Sequence, residues 1–179
     1  MYEIFMTHNR PWTKREIVFF TVLFILVTFI LARLVRKKSI FLSQAVAGDA
    51  LFVFVMIVLA STVFTRTPNG MHNYELIPFW SWAEAASGNL EYLKEIGLNM
   101  ILFLPAGLLL PFVFHKKILI RYAVLLGASG SAIIECSQLI FCRGLFEWDD
   151  MIGNSIGTMI GCIISNQIVQ KIQKIWENK

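Results

Sequence analysis

The chain has 179 residues, of which 56% are hydrophobic and only 16% are charged. A soluble domain averages about 45–50% apolar and about 25% charged residues, so this composition excludes an ordinary soluble domain. The apolar residues form nearly uncharged runs of about 20 residues, the length needed to cross a lipid bilayer. The net charge of +4 does not indicate a nucleic-acid partner, because lysine and arginine flank the apolar runs, where they set membrane topology.

Five apolar runs predict five membrane-spanning helices, which we call spans one to five. In chain order they are Ile17 to Val35, Ala45 to Phe64, Ile96 to Phe114, Ile120 to Phe141 and Ile152 to Val169. Basic clusters follow spans one and three and end both runs. We therefore predict an all-α, polytopic membrane helix bundle that forms a single membrane domain over residues 1–179.

The longest loop joins spans two and three and covers residues 67–95. Its aromatic stretch, residues 76–82, suits the headgroup layer of a membrane, where tryptophan is enriched. Residues 84–95 predict a short interfacial helix, which Gly88 weakens. The loop is therefore expected to contact the membrane surface.

Glycines recur at four-residue spacing in span five: Gly153, Gly157 and Gly161. This spacing places them on one side of the helix, which we call the glycine face, and such a face lets another backbone approach closely. We expect the glycine face to pack against span four, which would turn Asp150 and Asn154 towards Gln138 and Glu135. The same face is a candidate surface for association with a second copy of the chain.

The distribution of basic residues predicts the orientation in the membrane. With five spans, ten lysines and arginines share the side of the C-terminus: Arg33, Arg36, Lys37, Lys38, Lys116, Lys117, Arg121, Lys171, Lys174 and Lys179. Six lie on the opposite side: Arg10, Lys14, Arg15, Arg66, Lys94 and Arg143. Because the cytoplasmic side carries the excess of basic residues, we predict an external N-terminus and a cytoplasmic C-terminus.

Polar residues collect near the predicted outer ends of spans two to five: Arg66, Asn99, Gln138, Arg143, Asp149, Asp150 and Asn154. Glu135 lies deeper, in span four. Glu135 and Gln138 share a helix face because they are three residues apart, and Asp150 and Asn154 share one on span five. A carboxylate inside a membrane costs about 2.5 kcal/mol or more unless it is paired or protonated. We predict that these eight residues form a ligand-binding site or a polar core cluster.

Structural roles remain open for the same residues. Asp149 and Asp150 suit the N-terminus of span five, where carboxylates bind free N–H groups and complement the helix dipole. Arg66 and Arg143 suit the headgroup layer, where long basic side chains extend to water. An ion pair between Glu135 and one of these arginines is the structural alternative to a functional cavity.

Other reactive residues give no catalytic or metal-binding pattern. The three cysteines, Cys136, Cys142 and Cys162, form no CxxC motif, and we interpret them as small apolar packing residues. Nothing near His72 has the spacing of metal ligands, so it is predicted to lie on the surface. The sequence has no evident nucleophile–base pair with a positioning partner and no glycine-rich phosphate loop. We therefore predict neither a metal site nor a cofactor.

Several motifs occur in a fixed order between residues 45 and 165. They are Asn99 to Pro111 (NMILFLPAGLLLP), Glu135 to Gln138 (ECSQ), Arg143, Asp149-Asp150, Asn154 and Gly157 to Gly161, with Arg66 and Leu76 to Phe79 (LIPF) before them. In order and spacing the sequence resembles the VanZ-like family of bacterial membrane proteins. Residues 144–148, which separate Arg143 from the aspartates, are interpreted as ordinary variation.

The resemblance implies a multi-pass protein of a bacterial cell membrane. The family takes its name from a protein of glycopeptide-resistance clusters that is linked to reduced susceptibility to teicoplanin, a lipid-bearing glycopeptide. We expect an outward-facing polar site that acts in such resistance or in the handling of cell-envelope lipids or precursors. The expected partner is a membrane lipid, a lipid-linked cell-wall precursor or a lipoglycopeptide, with an arginine bound to an anionic group.

Two other functions remain open. One is a membrane enzyme for a lipid-linked phosphate substrate, in which Glu135 with Asp149 or Asp150 would supply acid–base catalysis. The other is a structural or regulatory membrane subunit that uses the glycine face. The absence of a nucleophile–base pair favours binding over turnover.

Overall fold

A computed structural model describes residues 9–177, with the side chains of residues 9–171. Within this range the chain forms six α-helices: α1 (Lys14–Arg36), α2 (Leu42–Leu59), α3 (Trp80–Ala86), α4 (Leu90–Val113), α5 (Ile120–Ile140) and α6 (Trp148–Glu177). A π-helical turn, Ala60–Phe64, continues α2. Two strands, β1 (Asn73–Glu75) and β2 (Leu145–Glu147), pair in parallel. The basic side chains counted beyond Lys171 lie outside the described residues.

Five of these helices are long and apolar enough to cross a membrane: α1, α2 with its π-helical turn, α4, α5 and α6 as far as Lys171. They confirm the prediction of an all-α membrane bundle. A helix satisfies its own backbone N–H and C=O groups, which hydrocarbon cannot do, so an apolar run of this length folds as a helix.

The loop between spans two and three differs from the prediction in its boundaries. The interfacial helix is α3 rather than residues 84–95, and span three begins at Leu90, well before its predicted start. Gly88 has a φ of 101°, a left-handed conformation that favours glycine, and it separates the two helices. Asn89 then caps α4 by accepting a hydrogen bond from the N–H two residues later. Asn99 therefore lies inside α4, about 2.5 turns from its start.

The connections between helices meet at two ends of the bundle. One end, which we call the polar end, joins the segment before α1, the α2–α3 connection and the α5–α6 connection. There the N–H of Asn69 donates to the carbonyl of Cys142 (2.9 Å), and β1 pairs with β2. At the opposite end the side chain of Asn166 bonds both the N–H and the carbonyl of Ile118 (3.0 and 2.8 Å). This arrangement places the connections on alternating sides, as five spans require.

The glycine face of α6 packs against α4, so the prediction that it packs against span four is wrong. A Cβ atom at Gly157 would overlap the carbonyl oxygen of Met100, and one at Gly161 would overlap that of Leu104. On the other side of the crossing, α4 contributes Gly107, where a Cβ atom would also overlap the backbone of α6. The two backbones therefore touch because both helices lack side chains at the crossing.

Span four, which is α5, packs against a different face of α6. A Cβ atom at Gly127 would lie 2.6 Å from Oγ1 of Thr158, so small residues also set this contact. The glycine face itself is buried within the chain. Gly153, Gly157 and Gly161 thus serve packing within one chain, and self-association through them stays a prediction.

Candidate functional site

The polar end holds all eight residues that the sequence singled out. Four are buried: Glu135, Gln138, Asp149 and Asn154. Four are half-buried: Arg66, Asn99, Arg143 and Asp150. The end of α2, the middle of α4, the end of α5 and the start of α6 each contribute, so the cluster depends on the packing of four spans.

The π-helical turn at the end of α2 anchors the cluster. A helix end leaves carbonyl groups without intrahelical donors, and side chains from the α5 side bind three of them. Nε2 of Gln138 donates to the carbonyl of Thr62 (3.0 Å). Nη1 of Arg143 donates to the carbonyls of Val63 (2.8 Å) and Phe64 (3.1 Å). Arg143 is thus bound to the backbone of α2 rather than extended to headgroups, and it fixes the chain just before Arg66.

Arg66 follows the π-helical turn and lies beside Gly144. A Cβ atom at Gly144 would lie 2.7 Å from Nη1 of Arg66 and 2.7 Å from Oε1 of Gln138. Both polar atoms therefore lie over a backbone position that has room only for glycine. Among residues 9–171, Arg66 forms no salt bridge, although its charge interacts at longer range with Glu135 and Asp150. Arg66 is a half-buried cation that no described carboxylate neutralises at contact distance.

Glu135 is held by backbone rather than by an arginine. Its side chain is 2% exposed, and Oε2 accepts a hydrogen bond from the N–H of Glu147 in β2 (3.2 Å). In the described part of the chain the salt bridge found is between Arg10 and Glu16. The structural alternative, an ion pair between Glu135 and Arg66 or Arg143, is therefore not formed among these residues.

Asp149 caps a helix other than its own. Its two carboxylate oxygens accept hydrogen bonds from the N–H groups of Phe79 (2.6 Å) and Ser81 (2.7 Å), at the N-terminus of α3. The structural alternative left open for the two aspartates, a cap on span five, is thus replaced for Asp149 by a cap on α3, although Asp149 lies in the first turn of α6. The carboxylate fixes the interfacial helix to the start of α6.

Asp150 and Asn154 reach two different helices. Oδ1 of Asp150 accepts a short hydrogen bond from Nδ2 of Asn99 on α4. Nδ2 of Asn154 donates to Oγ of Ser131 on α5 (2.7 Å), while its Oδ1 is buried without a hydrogen-bond partner among the described residues. Asp150 bonds α4 because the glycine face turns towards that helix. Asn154 does face span four, as predicted, but bonds Ser131 rather than Gln138 or Glu135.

Glu147 is a site residue that sequence analysis missed. It lies in β2, within residues interpreted as ordinary variation, and its backbone binds Glu135. Burial raises the pKa of Glu147 to about 7, with further contributions from the nearby carboxylates of Asp150 and Glu95. The pairing of β1 with β2 places Glu147 in the site. Each strand has only three residues, which is too short for a recognisable sequence pattern.

A histidine–cysteine pair also escaped the sequence analysis. Sγ of Cys142 lies 3.4 Å from Nδ1 of His72, and the same nitrogen lies 2.7 Å from the carbonyl oxygen of Leu139. The two residues are 70 positions apart, so no local spacing could have indicated their contact. Within the described residues, no group of three or more histidine, cysteine, aspartate or glutamate side chains has the arrangement of a metal site.

The arrangement suits recognition of an anion at the edge of the bundle. A guanidinium group binds phosphate or carboxylate through paired hydrogen bonds, and Arg66 forms no salt bridge among residues 9–171. The carboxyl groups of Glu135 and Asp150 lie near enough for electrostatic interaction with Arg66. The site therefore combines a half-buried guanidinium with neighbouring carboxyl groups.

Comparison with known proteins identifies the family. A family model described as VanZ/LLP1 matches residues 50–170, about two thirds of the chain. No curated protein matches the chain, and no solved structure matches it. The matched region reaches from α2 to α6 and contains every residue of the candidate site. The chain therefore belongs to the VanZ/LLP1 family, as its motifs predicted.

Proposed function

We propose that this VanZ-like membrane protein binds an anionic amphiphile at the polar end, in glycopeptide resistance or in the handling of cell-envelope lipids and precursors. The ligand classes that fit are a lipid-linked cell-wall precursor, an anionic membrane lipid and a lipoglycopeptide of the teicoplanin type. In this proposal the polar end faces outward from a bacterial cell membrane. The observation that carries it is Arg66, a half-buried cation without a salt-bridge partner in residues 9–171.

Physical chemistry supports Arg66 as the anion-binding residue. A half-buried guanidinium is stabilised by an anion that accepts its hydrogen bonds. Gly144 adds no side chain beside Nη1 of Arg66, so residue 144 leaves the space next to the guanidinium unfilled. A phosphate that accepts two hydrogen bonds from Arg66 would neutralise this charge.

Arg143 supports the site indirectly. Its two bonds to the carbonyls of Val63 and Phe64 hold the chain immediately before Arg66. Arg143 is therefore a positioning residue, and its loss would displace Arg66 and weaken the fold together. Loss of Arg66 would weaken binding while the fold persists.

The direct test is a binding measurement on the purified chain in lipid nanodiscs. The probe is a radiolabelled polyprenyl phosphate, with teicoplanin as a second probe. We expect Arg66→Ala to weaken binding about tenfold or more, because a hydrogen bond to a charged group contributes about 1.5–3 kcal/mol. Arg66→Lys keeps the charge but loses the paired geometry, and should be intermediate.

The matched control is Arg121→Ala, which removes an exposed arginine at the opposite end of the bundle. It should bind both probes as the unaltered chain does. The same variants, expressed in a teicoplanin-susceptible Gram-positive host, test the role in resistance. Equal binding by the Arg66→Ala variant and the unaltered chain, with equal amounts of folded protein, would exclude the proposed site.

Catalysis on a lipid-linked phosphate is the second candidate, and Glu147 favours it. A carboxyl group with a pKa of about 7 is suited to donate and accept protons near neutral pH. The test is turnover of a labelled polyprenyl diphosphate by the chain in nanodiscs, with Mg²⁺ and with EDTA. If the unaltered chain releases phosphate and the Glu147→Gln variant does not, the protein is an enzyme. If the chain binds the substrate without releasing phosphate, binding is its function.

A further inference from the structure

An apolar groove lies on the side of the bundle, below the polar end. It has a volume of about 290 Å³ and is lined by α2, α4 and α5, with one residue of α6. Three residues on its rim face away from the protein: Val55 on α2, and Leu126 and Ile133 on α5, which are 42%, 48% and 62% exposed. In a membrane-spanning bundle such side chains face hydrocarbon, so the groove opens sideways into the bilayer.

The groove follows the helices for a considerable distance. On α2 its lining extends from Leu51 to Leu59, and on α5 from Leu126 to Ile134. Eight residues of α-helix span about 12 Å at about 1.5 Å per residue. The groove is therefore long and narrow, with walls that carry almost no polar atoms.

The upper end of the groove adjoins the anion site. Leu59 lines the groove and directly precedes the π-helical turn that leads to Arg66. Ile134 lines it and directly precedes Glu135, one turn before Gln138. The bond from Gln138 to the carbonyl of Thr62 joins α5 to α2 at this level. Arg66 thus lies beyond the upper end of the groove, past the π-helical turn that follows Leu59.

We propose that the groove holds the hydrocarbon chain of the molecule whose anionic headgroup binds Arg66. This inference rests on the proposed function and narrows its ligand to a single amphiphile with an anionic head and a long chain. We infer an anionic headgroup because Arg66 at the polar end has no salt bridge among residues 9–171. We infer a hydrocarbon chain because the groove walls are nearly nonpolar. The part of the chain that reaches the groove then contributes to affinity through van der Waals contact with the groove walls.

Gly130 offers a way to fill the groove without damage to the helix contacts. It lines the groove, and a Cβ atom there would lie 3.5 Å from Cε1 of Phe103, an ordinary contact. Gly130→Leu should therefore occupy the groove while the bundle persists. Ser129→Leu is the matched control, because Ser129 is the exposed neighbour on the same helix and does not line this groove.

The experiment measures the binding of two probes to the full chain in nanodiscs: a polyprenyl phosphate with eleven isoprene units and geranyl phosphate, which has two. We expect Gly130→Leu to weaken binding of the long probe at least tenfold and to leave the short probe unchanged. Ser129→Leu should change neither, and Arg66→Ala should weaken both. Val55→Trp, which narrows the groove from the opposite wall, repeats the test if the first variant folds poorly.

The outcomes separate the two proposals. If the unaltered chain binds both probes through Arg66 but Gly130→Leu and Val55→Trp bind the long one normally, the groove proposal fails and the anion site stands. In that case ordinary bilayer lipid fills the groove. If the unaltered chain binds neither probe, both proposals fail.

Discussion

The α4–α6 crossing and the polar end are built on different principles. At the crossing, Gly107, Gly157 and Gly161 let two helix backbones touch, and absent side chains define the contact. At the polar end, Gln138 and Arg143 bind backbone carbonyls of another span, and present side chains define the contact. An added side chain would disrupt the contact at the crossing, whereas loss of a side-chain donor would disrupt the contact at the polar end.

This difference assigns the two regions different tasks. The crossing is buried inside the bundle, where close packing of backbone on backbone holds two helices together. The polar end joins three connections through side-chain hydrogen bonds to backbone groups that would otherwise lack partners. The crossing sets the scaffold, and the polar end places Arg66 on it.

The largest effect is expected at the crossing. Gly157→Leu would force a side chain onto the carbonyl of Met100, with a loss of stability beyond the about 1–3 kcal/mol of an overpacked core. We expect little folded protein, measured as the monodisperse fraction in detergent. The control is Gly97→Ala on α4, where a Cβ atom meets nothing within 4 Å. Folded Gly157→Leu protein at normal yield would contradict the described crossing.

A smaller loss of stability is expected from Arg143→Ala at the polar end. The carbonyl of Val63 would lose its side-chain donor, which costs about 1–3 kcal/mol when such a group stays buried. The carbonyl of Phe64 would keep the hydrogen bond from Nη2 of Arg10. The melting midpoint in detergent should fall clearly, while Arg66→Ala should leave it near that of the unaltered chain. Equal midpoints for both variants would show that the two arginines do not have separate roles.

Asp149→Ala tests a single connection. Loss of the carboxylate removes the acceptor for the N–H groups of Phe79 and Ser81, and a lost helix cap costs about 0.5–2 kcal/mol. Hydrogen exchange of these amides, followed by mass spectrometry, should accelerate while amides of α4 keep their protection. Unchanged exchange at residues 79–81 would argue against the cap.

The smallest effect is a pH dependence at Glu147. Its pKa is raised from 4.5 to about 7 in the folded chain, so the folded state binds more protons than the unfolded state between these values. Stability should therefore fall as pH rises from about 4.5 to about 7, and then level off. The melting midpoint of Glu147→Gln should fall less than that of the unaltered chain over this range. Parallel curves would contradict the raised pKa.

Local patterns predicted the spans well but not the partners of polar side chains. Apolar runs gave the five spans because burial of twenty consecutive residues in hydrocarbon depends on composition alone. A cap on span five was one alternative for Asp149, yet its carboxylate caps α3, because the α2–α3 connection folds back over the start of α6. Glu147 was missed because its role comes from a three-residue strand pairing across the chain.

Sequence alone determined that this protein is an all-α membrane bundle of the VanZ-like type, and it singled out eight polar residues that lie at one end of the bundle, though not Glu147. Tertiary structure decided that the glycine face meets α4, that Arg143 holds backbone, and that Arg66 remains without a salt bridge in the described residues. The physical reason is the distance along the chain over which each interaction acts. Hydropathy and helical spacing act within one helix, whereas each of these three outcomes depends on which helix lies next to which.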